Sequence, residues 1–176
     1  MAVTALCVLD LMLTLAVLRR LRDRPSGTAV IDEGGIPVGA AVGTFAAQCT
    51  KGVPLTEKDL ADGAVVSFFS PGCLPCRRKL PVFVEQATAL QGRRQMIAVV
   101  VTPTGKPHEE AEAVAMAEQL APVARVVAED VEGPCAAAFG VRAFPSQFTI
   151  SAVGGAPPTV AAVGDAVFTT LPAGSA

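Results

Sequence analysis

The feature that most constrains this chain is a change of hydrophobic period around one pair of cysteines. Ala64 to Phe69 is a continuous apolar run broken only by Ser67, Pro71-Gly72 is a turn signal, and Cys73-Leu74-Pro75-Cys76 opens a helical pattern reaching Leu90. A buried strand that feeds a helix through a tight turn exposes the first turn of that helix. Two thiols three positions apart then face each other across one turn, the first at the helix start and the second within it.

Backbone N–H groups at a helix start have no intrahelical partner and favour an anion. Cys73 is therefore the expected nucleophile, and Cys76, less accessible, the thiol that resolves a mixed disulfide. Arg77, Arg78 and Lys79 add positive charge and are expected to favour thiolate as electrostatic tuning groups. Cysteines at this spacing also begin zinc sites, which need two further ligands. Only His108, Cys49 and Cys135 are on offer, and they form no second close pair, so neither a metal nor another cofactor is expected. Cys49 and Cys135 are read in two ways: as a second thiol pair or relay, or as separate buried thiols that pack like small hydrophobes.

The remaining pattern alternates. Met96 to Val101 is a second buried strand; a helix runs from Pro107 and His108 to about Leu120, with Glu109, Glu110 and Glu112 near its start as solvated surface. Val123 to Ala128 is a third strand and Ala136 to Phe139 a short helix. Ser146 to Ile150 and Thr159 to Val163 form a terminal hairpin, leaving a short or frayed last helix. Strands separated by helices and then a hairpin imply an α/β domain, a mixed sheet covered on both faces.

Composition narrows the partners. Lys and Arg number 14 against 16 Asp and Glu, without a basic stripe or basic–aromatic interleaving, which argues against nucleic acid. Five cysteines do not make a disulfide scaffold in a chain of 176 residues, because a sizeable core can form without staples. The Gly-rich stretches near Gly34 and Gly154 lack the lysine context of a phosphate loop.

Ala2 to Leu18 carries Asp10 as its only charge and is followed by Arg19, Arg20, Arg22 and Arg24. At a helical rise it spans about 26 Å, just enough for a single pass if the arginines snorkel. Asp10 in such a segment is costly unless protonated or paired, and a membrane partner helix could supply the pairing. The basic flank favours a cytoplasmic domain, whereas the redox motif fits either side of a membrane. The expected organisation is residues 1–24 as membrane anchor with basic flank, 25–38 as flexible tether, and 39–176 as the folded domain.

Ser67 through Pro81, reading SFFSPGCLPCRRKLP, resembles the active-site segment of TlpA-like membrane-anchored thioredoxin relatives, including the MauD-type proteins. Pro81 matches the proline that family places inside the active-site helix. Phe139-Gly140-Val141-Arg142-Ala143-Phe144-Pro145 resembles the segment ending in a cis-proline beside the redox pair. The resemblance spans about residues 35 to 163. It implies a thioredoxin-like fold in which Gly72, Leu74, Pro75, Phe144 and Pro145 contact the substrate. The chain departs from the pattern at Gly72, where a tryptophan is common, at Ser67, where thioredoxin keeps a buried acid, and at Lys79, where many relatives carry an acid.

The expected activity is thiol–disulfide exchange with a disulfide or dithiol of a protein partner, coupled to an upstream thiol donor or acceptor. Two other classes compete. One is a non-catalytic adaptor or maturation factor binding a membrane or secreted partner; the other is a peroxidase-like redoxin.

Overall fold

The computed structural model of the chain describes residues 34–103 and 105–169. The anchor expected over residues 1–24 lies outside them. Among the described residues, no helix is long and apolar enough to cross a membrane.

Five strands form the central sheet in the order β5-β4-β3-β6-β7: β3 (Val65–Phe69), β4 (Met96–Val101), β5 (Arg125–Glu129), β6 (Ser146–Ser151) and β7 (Thr159–Val163). β3 pairs in parallel with β4 and β4 with β5, while β6 runs antiparallel to both β3 and β7. Every residue of β3 and β4 is buried. That explains their unbroken apolar sequence: a strand covered on both faces has no solvent side to mark by alternation. The expected mixed sheet with a terminal hairpin is present.

Strand pleating sorts these residues into two cores. Val66, Phe68, Ile97 and Val99 join Phe139, Phe148 and Ile150 on one face. Val65, Phe69, Ala98 and Val100 meet the two longer helices on the other. Helix α1 (Leu74–Ala89) buries Cys76, Leu80, Phe83 and Ala87, a stripe at helical spacing, and Phe83 packs edge-on against Phe69 at 5.4 Å. Pro81 lies inside α1 on its exposed side. Its missing N–H removes one hydrogen bond from the helix. Helix α2 (Pro107–Leu120) buries Ala113, Met116 and Leu120 in the same core. The short α3 (Pro134–Ala138) covers the opposite face with Cys135 and Ala136.

Three details differ from expectation. Ala46–Gln48 (β1) and Pro54–Thr56 (β2) form a small antiparallel hairpin that the sequence pattern does not announce, because strands of three residues are too short to display a period. The expected last helix is a 3₁₀ turn, Gly164–Phe168. At the end of the stretch expected as a tether, 25–38, the Ile36 N–H bonds the Phe139 carbonyl at 2.9 Å. A Cβ on Gly34 would sit 2.6 Å from that of Ala143, and one on Gly35 would sit 2.4 Å from the Phe148 ring. Gly34 lets two backbones approach, and Gly35 makes room for the Phe148 ring.

Candidate redox site

Cys73 is the N-cap of α1, with extended backbone angles, directly after the turn that leaves β3. Its sulfur accepts the Cys76 N–H at 3.3 Å. In the same position it reaches the Phe144 carbonyl, with the thiol donating across 3.5 Å. The Phe144–Pro145 peptide bond is cis, as the resemblance implies. The structure thus joins two segments about seventy residues apart at one sulfur. β6 follows Pro145 directly and lies beside β3, so the sheet itself brings them together.

The two thiols occupy unlike environments. Cys73 is half-buried, whereas Cys76 is fully buried in the core beneath α1. Burial pushes the Cys76 thiol up to about 12, its hydrogen bond to Cys73 adds to that rise, and the Ser70 backbone pulls partly against it. Cys76 therefore stays protonated at neutral pH.

Around them lie the residues expected to touch substrate. Leu74 is 60% exposed, Gly72 and Pro75 are exposed, and Phe144 and Pro145 are half-buried. An apolar rim with one accessible sulfur suits an extended polypeptide better than a small polar molecule. Gly72 has φ +72°, a conformation L side chains rarely adopt, so the turn itself explains the absence of a tryptophan there.

The three cations after Cys76 lie in different settings. Arg77 forms a two-bond fork with Glu112 of α2, Nε to Oε1 at 2.7 Å and Nη2 to Oε2 at 3.1 Å. Lys79 pairs with Asp165. Only Arg78 of the three is exposed with no ion pair among the described residues. Two of the three cations expected to tune the thiols are therefore paired with carboxylates. Glu112, read from sequence as solvated helix surface, is the residue that reading missed. Its partner lies on another helix, and no local spacing signals the pairing.

Beneath α1, the Ser67 hydroxyl receives the Gln147 amide at 3.3 Å, and both residues are buried. Gln147 Oε1 is buried with no hydrogen-bond partner. A neutral pair thus stands where thioredoxin keeps its acid.

Cys49 and Cys135 lie in the other core, both buried as free thiols. Cys49 bridges Val127 of β5, and the Glu129 carboxylate accepts the N–H groups of Cys135 and Ala136 at 3.0 and 2.7 Å. Burial first, and then the Glu129 charge, raise the Cys135 thiol well above its ordinary range. The structure brings these cysteines into one cluster, across the sheet from Cys73. Among the described residues, no group of three His, Cys, Asp or Glu side chains could hold a metal ion.

No protein-family model and no curated protein matches the sequence. The fold does match solved structures, and it is thioredoxin-like. A thiol–disulfide isomerase from Thermus thermophilus aligns with a TM-score of 0.52 and 22% identity over 73% of this chain and 86% of its own. The thioredoxin domain of a thiol–disulfide oxidoreductase from Bacteroides vulgatus aligns with a TM-score of 0.52 and 15% identity, over 76% and 94%. A thiol:disulfide interchange protein from Bacteroides sp. gives 0.54 and 16%, over 76% and 87%.

Proposed function

We propose that the protein is a thiol–disulfide oxidoreductase acting on a cysteine pair of a protein partner. The observation that carries this reading is the Cys73 sulfur, half-buried at the N-cap of α1, within reach of both the Cys76 N–H and the carbonyl of cis-bonded Phe144. Cys73, as thiolate, attacks one sulfur of the partner's disulfide, forming a mixed disulfide and releasing the other sulfur as thiolate. Cys76 then attacks Cys73, its proton passing to a released partner sulfur, the Cys73–Cys76 disulfide forms, and the partner leaves reduced with one thiol and one thiolate. The same steps reversed oxidise a dithiol. An upstream thiol donor or acceptor resets the pair. Gly72, Leu74, Pro75, Phe144 and Pro145 form the surface on which the partner strand lies.

The thioredoxin-like fold and the thiol–disulfide enzymes that share it support this activity. The apolar segment Ala2–Leu18 supports membrane attachment in the manner of the TlpA-like relatives, with the domain on the side a protease-protection assay on intact membranes would report.

A Cys76→Ala chain should accumulate a mixed disulfide through Cys73 when offered a disulfide-bonded protein under non-reducing conditions. The reading fails if this adduct is no more abundant than with the chain lacking both cysteines. Partner assembly that survives loss of both thiols would favour the adaptor instead.

A further inference from the structure

The Glu112 side chain is 18% exposed, and its carboxylate is held at three points. It accepts the Gly72 N–H at 3.0 Å and both arms of the Arg77 fork. One side chain of α2 therefore ties down the turn before Cys73 and the first turn of α1 after it. Arg77 is four residues beyond Cys73, on the same helix face, and its N–H bonds the Cys73 carbonyl at 3.2 Å. Glu112 dominates the electrostatics of the guanidinium, and the Cys73 sulfur makes only a minor contribution to it.

A bidentate carboxylate neutralises that guanidinium at short range. The Arg77 fork, helped by the Gly72 N–H, holds the Glu112 carboxyl below the usual carboxylate range, so it is ionised at neutral pH. The negative charge also consumes the Gly72 N–H, a donor adjacent to the nucleophile. Both effects withhold stabilisation from a Cys73 thiolate, and neither acts on the uncharged disulfide. A pair whose reduced form is less stabilised is the stronger reductant.

We propose that Glu112 is a positioning residue that fixes the Gly72 turn and sets the redox poise of the Cys73–Cys76 pair by sequestering the charge of Arg77. The inference rests on the thiol–disulfide reading and adds a residue through which the site's direction of electron flow is adjusted. Glu112→Gln keeps the shape and an acceptor for Gly72 but removes the charge, releasing Arg77 toward Cys73. Arg77→Gln does the opposite, leaving the carboxylate uncancelled.

The test uses the full chain and two readouts. In glutathione redox buffers, Glu112→Gln should shift the equilibrium constant about tenfold toward the reduced protein, roughly 30 mV less negative, and Arg77→Gln should shift it the other way. Iodoacetamide should alkylate Cys73 several-fold faster in Glu112→Gln and several-fold slower in Arg77→Gln. A purely structural clamp would move both variants in the same direction. Shifts of the same sign in the two variants, or equilibrium constants and alkylation rates within twofold of the parent, overturn the proposal. If the parent pair never oxidises in glutathione, the proposed function fails, while the alkylation rates still decide the role of Glu112.

Discussion

The two faces of the sheet each hold two cysteines and treat them differently. On the α1 face, a turn and a helix start leave Cys73 half-buried and tie its sulfur to backbone groups from two segments, with Cys76 sealed behind it. On the α3 face, Cys49 and Cys135 are both buried, and a carboxylate stands beside Cys135. Residue type and proximity are common to both faces. What differs is solvent access, joined on the α3 face by a carboxylate beside Cys135 that opposes its ionisation.

The largest expected effect is in alkylation. Under reducing conditions at neutral pH, Cys73 should react with iodoacetamide on the order of 100-fold faster than Cys49, Cys76 or Cys135, which react only when the fold opens. Mass mapping of labelled peptides over time would show the order. Native-state labelling of Cys135 or Cys49 as fast as Cys73 would break the contrast between the faces.

Next in size is a loss of stability in alkali. The folded chain keeps the Cys76 proton to about 12, whereas its ordinary value is 9.0. Between these values the unfolded chain binds fewer protons than the native one, so the free energy of unfolding falls as pH rises. Each such thiol contributes about 1.4 kcal/mol per pH unit. The stabilising contribution is fully present below about pH 9 and lost by about 12. Denaturant melts of the reduced protein from pH 8 to 11 should show the decline, and Cys76→Ser should flatten part of it. An unchanged slope would mean that Cys76 is not protected as its burial implies.

How much of this was legible in the sequence follows from which forces are local. The strand, turn and helix around Cys73 are written in neighbouring residues, and the resemblance located Pro145 beside the thiol. The β1–β2 hairpin was not legible, because strands of three residues carry no usable period. The close packing at Gly34 and Gly35 was not legible, because glycine marks both flexible chain and close approach. Only the fold tells these apart. The partners of Arg77 and Lys79 were not legible for a related reason: their carboxylates lie 35 and 86 residues away.

The smallest expected effect sharpens the comparison at Cys135. Glu129 caps the start of α3 through two N–H groups and, by its charge, opposes ionisation of the adjacent thiol. Glu129→Gln keeps one acceptor and loses the charge, so it should cost about 1 kcal/mol of stability, in the range of a lost charged cap. Removing the negative charge lowers the Cys135 thiol toward its ordinary value and should raise its native-state labelling a few-fold. That gain should stay far short of Cys73, because burial, the larger cause of the shift, is untouched. A denaturant melt and a labelling time course on the same variant read both quantities. If stability falls while labelling is unchanged, burial alone protects this thiol. If labelling rises to the Cys73 rate, charge rather than access separates the two faces.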